Sequence, residues 1–378
     1  MDAETPLFEG VMTTFKRNSK ALRPTSLSSR SLETVAHFPE APWADAGGNK
    51  DVARPKPLNI AHRGFKAKYP ENSMSAFAHA VRVGAQVLET DVHLSRDGEI
   101  VLSHDATLQR CFGINERIID CDWQYLSSLR TTREPFEPML RLVELLRYMS
   151  APEQKHLYLL LDIKLDNHAD NITRAIAETV HSIPSEHKPW NERIILGCWT
   201  AEFLSLCHVH LPSFPVCLIS YSLVYARQFL QIPNITFNIK LTALMGPGGA
   251  QFLADAKNGR RHDVFAWTVN DEVFMRWSLR HKIDGIVTDN SDLCRRICDK
   301  WEVGGYLRKD GYEKDAFSDR GDVGHNDDDD ADVHGDDDDG ITVLQRVEIL
   351  IAGFVLYVVG SVFATVHQAD LTEFIDGL

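Results

Sequence analysis

Between residue 56 and about residue 300 the chain alternates short apolar runs with amphipathic stretches of helical length. Eight runs stand out as strand candidates: residues 58–61, 87–94, 157–163, 194–198, 216–220, 235–239, 264–269 and 285–288. Most are continuous rather than alternating, the pattern of strands covered on both faces. Eight such strands separated by helices, in a span of about 245 residues, fit an α/β (β/α)8 barrel in both number and size. Asp97-Gly98 is a hairpin signal, so residues 99–103 are expected to fold back on the second strand as a small inserted excursion.

The flanks read differently. Residues 1–55 mix Ser, Thr, Pro and Ala with scattered basic residues and show no periodicity, which predicts a disordered leader. A mitochondrial presequence competes with that reading, against which stand Asp2, Glu4 and Glu9. Residues 301–344 are rich in Gly and Asp, with two blocks of four consecutive aspartates, and read as an acidic linker, with a weak calcium site as the alternative. Residues 349–366 carry no charge, and those 18 residues make about 27 Å of helix, close to the thickness of a bilayer core. A transmembrane helix is expected over residues 345–367, followed by a short tail, 368–378; a helix packed against the barrel is the competitor. With nothing near the N-terminus resembling a secretory signal, a single-pass anchor places the barrel (residues 56–300) on the cytosolic side. Endoplasmic reticulum, mitochondrial outer membrane and lipid droplet remain open as the organelle.

Composition alters this picture little. Of the net charge of -14, ten units come from aspartates in residues 322–340, a segment without Lys or Arg. The rest of the chain carries only about -4, so the acidity does not describe a substrate. No nucleic-acid partner is expected. Seven scattered cysteines without a CxxC pair read as reduced thiols in or near a core, Cys294 and Cys298 sharing one helical face.

Chemistry gathers at the ends of the apolar runs. Glu89 and Asp91 alternate along a strand and so share one face. Asp162 closes another strand and is placed to meet them across the barrel mouth. Oxygen-only ligands suit Mg2+, Ca2+ or Mn2+ rather than zinc. His62-Arg63 ends the first strand, and Arg63 offers a planar fork matched to phosphoryl oxygens. Lys164, two residues past Asp162, offers a point charge to the same group. His104 follows the folded-back strand and is expected to face His62, so that one imidazole takes a proton and the other delivers one.

The motifs His62-Arg63-Gly64, Pro70-Glu71-Asn72-Ser73, Glu89-Thr90-Asp91-Val92, His104-Asp105, Leu161-Asp162-Ile163-Lys164, Trp267-Thr268-Val269-Asn270 and Asp284-Gly285-Ile286-Val287-Thr288-Asp289 come in one order over residues 57 to about 290. Together they resemble the glycerophosphodiester phosphodiesterase family. The resemblance implies a TIM barrel, a divalent ion (Mg2+ or Ca2+) on Glu89, Asp91 and Asp162, and acid–base work by His62 and His104. It also implies phosphate binding by Arg63 and Lys164, with Glu71, Asn72 and Asp105 in support and Trp267 lining the pocket. Asp162 stands where most members carry Glu. That shortening and the apolar tail resemble the fungal tail-anchored phosphatidylglycerol phospholipase C branch.

The expected reaction is attack on phosphorus by the free hydroxyl beside a glycerol ester, giving a cyclic phosphate that water opens. In phosphatidylglycerol only the head-group glycerol keeps that hydroxyl, so diacylglycerol and glycerol phosphate are the expected products. Water-soluble deacylated phospholipids are the alternative substrates. A non-catalytic, membrane-tethered barrel that binds lipid head groups is the reading from another class.

Overall fold

The computed structural model describes residues 38–43, 56–258, 262–305 and 341–367. Nine strands are present: β1 (Leu58–His62), β2 (Val87–Leu94), β3 (Ile100–Leu102), β4 (Tyr158–Ile163), β5 (Ile194–Cys198), β6 (Val216–Ser220), β7 (Thr236–Lys240), β8 (Val264–Trp267) and β9 (Gly285–Thr288). All but β3 run parallel, and the pairing of β1 with both β2 and β9 closes them into an eight-stranded barrel. The eight expected strands are these eight, with ends shifted by a residue or two. The short β3 runs antiparallel to β2 with Leu102 opposite Val92, as the Asp97-Gly98 turn required. Gly98 sits at φ 87°, and the Ser95 hydroxyl both donates to Asp97 and accepts the Glu99 amide.

Side-chain alternation explains why so many strand positions are apolar and why the exceptions fall where they do. Ile60, Val87, Leu160, Ile195, Cys217, Phe265 and Val287, one from each of seven strands, form a cluster of their own inside the barrel. Their neighbours Ala61, Leu88, Leu159, Leu161 and Leu196 belong to a separate core shared with the surrounding helices. Two residues further along the inward face of β1, β2 and β4, the same register carries His62, Glu89 and Asp162. The barrel is thus apolar at the strand N-termini and charged at the C-termini, the end at which such barrels carry their sites.

The inserted region after β3 has its own small core of Val101, Leu108, Ile118, Cys121, Leu126, Leu129 and Met139. All seven cysteines are free thiols, six of them buried.

Part of the leader departs from expectation. Phe38 and Ala41 are buried, and Trp43 donates from Nε1 to Asp263 Oδ2 at 2.8 Å while its ring meets Phe265 and Tyr158 at 5.3 and 5.5 Å. Aromatic area covering the inner apolar cluster outweighs the polar composition of this stretch, a tertiary gain that local pattern does not reveal. The remainder of residues 1–55, residues 306–340 of the linker expected over 301–344, and the tail from residue 368 lie outside the described residues. The last barrel helix, Ser291–Gly305, runs past the expected boundary at residue 300.

The expected anchor is one helix, Val343–Val366, begun by a capping box between Thr342 and Gln345. It is long and apolar enough to cross a membrane. One face lies against the barrel helices Leu223–Ala226 and Leu241–Met245, and the other faces are exposed.

Replacing Trp43 by Ala is expected to lower unfolding stability by roughly 2–4 kcal/mol, because the aromatic cover of the barrel floor is lost. Turnover at the opposite end should stay unchanged. Urea denaturation followed by tryptophan fluorescence, with an activity assay beside it, checks both.

Candidate active site

The chain turns abruptly where β1 ends. Arg63 and Gly64 both adopt left-handed backbone, at φ 56° and 81°, which costs a non-glycine residue of order 1 kcal/mol or more. The contacts that hold it are specific. The Arg63 amide donates to Glu89 Oε2 at 2.8 Å, its carbonyl accepts the Asn72 amide at 3.0 Å, and its guanidinium lies 3.0 Å from Glu71 and 3.2 Å from Asp91. Asn72, itself at φ 55°, donates to Asp91 Oδ2 and accepts from Thr90. Arg63 is therefore aimed into the barrel rather than across its surface.

Glu89, Asp91 and Asp162 are all buried, and each offers an oxygen within 4.8 Å of the others. Three carboxylates brought this close repel one another, and the fold answers with two cations. Lys164 Nζ lies 2.7 Å from Asp91 and 2.6 Å from Asp162, while Arg63 serves Asp91 from the other side. Trp199 Nε1 donates to Asp162 Oδ1 at 2.6 Å. Burial opposes ionisation of Asp91, but Lys164 and Arg63 outweigh it and hold this carboxyl well below its usual range. Glu89 goes the other way: burial, then the charges of Asp91 and Asp162, raise it well above a normal carboxyl. The cluster as it stands is short of positive charge.

A divalent cation fits that deficit. The buried Asp91 Oδ1, though close to Lys164, makes no well-directed hydrogen bond and so keeps a lone pair for a cation. An all-oxygen donor set suits a hard ion such as Mg2+ or Ca2+.

The two histidines adjoin this cluster: His62 pairs in register with Glu89, and His104 follows Ser103, whose amide donates to the Asp91 carbonyl. His62 Nδ1 lies 2.6 Å from Asp289 Oδ1, and His104 Nδ1 lies 2.7 Å from Asp105 Oδ1. A carboxylate can only accept, so in both rings Nδ1 carries the proton and Nε2 keeps the lone pair. Burial is the main reason that both imidazoles are harder to protonate than usual. For His62 the Arg63 charge adds to it; for His104 the Lys164 and Arg63 charges bring the value to about 3. Asp289 is correspondingly lowered to about 2, since burial is outweighed by its bond to His62.

The histidines are also joined on the outside of the site by alternating charges. Arg63 meets Glu71 at 3.0 Å, Glu71 meets Arg110 at 2.7 Å, and Arg110 meets Asp105, the partner of His104, at 2.7 Å. Glu71 is ionised throughout: Arg63 and Arg110 overcome its burial and push it far below the usual range. Trp267 closes the other side, with Nε1 donating to the Asn238 carbonyl at 3.0 Å, its ring 5.8 Å from Trp199 and Lys240 Nζ over its face.

Every residue singled out in the sequence thus reaches this mouth. Lys164 and Arg63 differ from expectation in their surroundings, since both cations are bound to carboxylates of the site itself. Asp289, quoted only within a motif, was given no role, and Trp199 and Arg110 were not anticipated. Asp289 follows the last barrel strand directly, so the rule that selected Asp162 would have found it; Trp199 likewise sits just past β5. Arg110 comes from the short helix Gln109–Phe112 of the insertion and carries no local signal.

These parts define a class of protein, a closed (β/α)8 barrel with a carboxylate cluster for a divalent ion at its catalytic end. Comparison supplies the family. Residues 62–293 match the glycerophosphoryl diester phosphodiesterase family, and the chain belongs to it, as a phosphodiesterase of that type. A glycerophosphodiester phosphodiesterase of Bacillus altitudinis is 25% identical over 249 residues, covering 63% of this chain and 96% of that protein. A lysophospholipase D of Mus musculus is 25% identical over 280 residues, covering 61% and 82%. Among solved structures, an Oleispira antarctica phosphodiesterase in complex with the product sn-glycerol-3-phosphate superposes with a TM-score of 0.56 at 21% identity, covering 65% of this chain and 97% of that one. A Silicibacter pomeroyi glycerophosphoryl diester phosphodiesterase gives 0.58 at 19% identity, covering 66% and 96%.

The low value for His104 has a stability consequence. An imidazole free in the unfolded chain titrates near 6.5, and in the fold only near 3, so between those values the unfolded state holds the extra proton. Stability should fall as pH drops through that window, by about 1–2 kcal/mol at pH 5 from this group, and level off below 3. His104→Asn should flatten that part of the curve, as read by urea denaturation of the metal-free protein at pH 7, 6 and 5.

Proposed function

We propose that this chain is a metal-dependent phospholipase C that cleaves phosphatidylglycerol, or a similar glycerol-headed phospholipid, to diacylglycerol and glycerol phosphate. The observation that carries this reading is the pair of imidazoles, each anchored through Nδ1 to a carboxylate, next to the Glu89–Asp91–Asp162 cluster. Both present Nε2 to the substrate. The histidine that acts as base works in its neutral form, and the one that acts as acid first takes up a proton on Nε2, which the negative charge of the bound phosphodiester favours. One histidine accepts the proton of the head-group hydroxyl as its oxygen bonds to phosphorus. The bond from phosphorus to the diacylglycerol oxygen breaks, and that oxygen leaves with a proton from the other histidine. Water then opens the cyclic phosphate by the same route reversed.

Arg63 contributes fixed positive charge beside the phosphoryl oxygens, held in place by Glu71 and Asp91. Glu89, Asp91 and Asp162 would hold a Mg2+ or Ca2+ ion, which when bound supplies further stabilisation to the same oxygens. Lys164 and Trp267 line the substrate side, with Asn72 and Asp105 in support. The apolar C-terminal helix attaches the protein to a membrane, with the barrel on the cytosolic side, and so raises the effective concentration of a lipid substrate. That helix, and the lipid substrate named for the mouse relative, favour a phospholipid over a soluble diester. The resemblance to the fungal tail-anchored branch points the same way.

Purified protein assayed on phosphatidylglycerol in mixed micelles should release diacylglycerol and glycerol phosphate, and a chelator should abolish this. His62→Ala and His104→Ala should each lower turnover by roughly 10²- to 10⁴-fold. Release of glycerol phosphate from glycerophosphocholine alone would instead establish the soluble substrate. Null turnover by wild type with Mg2+, Ca2+ and Mn2+, while head-group binding persists, would leave only the binding module.

A further inference from the structure

The C-terminal helix is not evenly apolar around its circumference. On one face, Ile349, Phe363 and Ala364 are buried, and Gly353 and Gly360 lie in line with them. A Cβ on Gly353 would come within 3.1 Å of the Gly246 Cα and 3.3 Å of Pro247, and one on Gly360 within 2.5 Å of the Ser222 Cβ. Two glycines seven residues apart therefore let this helix approach the barrel backbone at two points, two turns apart. Phe363 completes the contact, its ring 5.7 Å from Tyr221 and 5.2 Å from Tyr225. Away from that seat the helix exposes Val347, Ile351, Phe354, Val355, Val358 and Val362, with no charged residue from 349 to 366.

The seat lies beside the active-site mouth. Ser222 comes two residues after β6, and Leu241–Met245 begins directly after β7, so both are at the strand C-termini. In the closed ring β6 and β7 stand opposite β1 and β2, the strands that carry His62, Glu89 and Asp91. Tyr221, which meets Phe363, follows β6 as Trp199 follows β5.

Contact from Ile349 to Phe363 runs along about 21 Å of helix. A helix crossing the bilayer upright would have to draw these barrel loops into hydrocarbon along that length. They cannot follow, because Arg227 bonds the Gly248 carbonyl at 2.8 Å and pairs with Asp255 at 2.7 Å beside the same loop.

We propose that the helix stays seated on the barrel and lies in the plane of the membrane surface, its outer apolar face embedded among lipid acyl chains. This holds the mouth against the bilayer. The inference rests on the membrane attachment proposed above and fixes its mode: one leaflet entered from one side, rather than a span. Lipid then enters over the Tyr221 side, opposite the histidines.

The test uses the full chain bound to phosphatidylcholine–phosphatidylglycerol vesicles. A cysteine introduced at Leu378 should react with a membrane-impermeant maleimide as fully as in detergent. Fluorophores on cysteines at Val347, Phe354 and Val362 should report similar depths, about 5–10 Å below the head groups, by depth-dependent quenching. Gly353→Leu combined with Gly360→Leu adds apolar surface, so binding should persist, yet turnover of vesicle lipid should fall about tenfold with soluble glycerophosphodiester turnover unchanged. A protected tail with Phe354 at the bilayer centre, or a double variant that changes neither turnover, would overturn the seated helix while leaving attachment intact. Absence of vesicle binding by wild type would instead remove the attachment reading itself.

Discussion

The charge balance inside the barrel mouth is the constraint on which the rest of the site depends. Three carboxylates converge on one point, and among the described residues Arg63 and Lys164 are the cations that stand directly against them. Desolvation makes that imbalance expensive, and it falls on Glu89, which burial and its two acidic neighbours hold toward its protonated form. A divalent cation would relieve the repulsion and let Glu89 ionise. The strained backbone at Arg63 belongs to the same account, because it turns the Arg63 amide onto Glu89 Oε2. Charge, backbone and register are one solution to one problem.

Much of this was legible in the sequence, for a physical reason. Parallel strands covered on both faces must be apolar, so each run marks a strand and each acid or histidine at its end marks the mouth. Glu89, Asp91, Asp162 and His62 were found in that way, and the structure brings them together. Asp289 obeys the same rule, directly after β9, but was quoted only as the last residue of a motif and given no role. The leader shows where pattern fails. Phe38 and Trp43 are isolated aromatics in a polar stretch: only the finished fold gives Trp43 the barrel floor to cover and Phe38 a place in the core shared with the helices. Arg110 is hidden in the same sense, since its partners Glu71 and Asp105 lie 39 and 5 residues away.

The C-terminal helix was legible by length and polarity but not by placement. Eighteen uncharged residues describe a span and an in-plane helix equally well. What separates them is the approach of Gly353 to Gly246 and of Gly360 to Ser222, and a sequence shows two glycines without what they face. The seat joins the two halves of the chain's chemistry: the same loops that receive the helix end at the mouth, on the wall opposite the histidines.

Anomalous diffraction from crystals grown with Mn2+ tests the central claim most directly, because it locates the ion independently of turnover. The account predicts one strong site per chain, bonded to oxygens of Glu89, Asp91 and Asp162, with His62 and His104 next to it. A peak elsewhere in the barrel, or three carboxylates still held only by Arg63 and Lys164 at saturating metal, would contradict it.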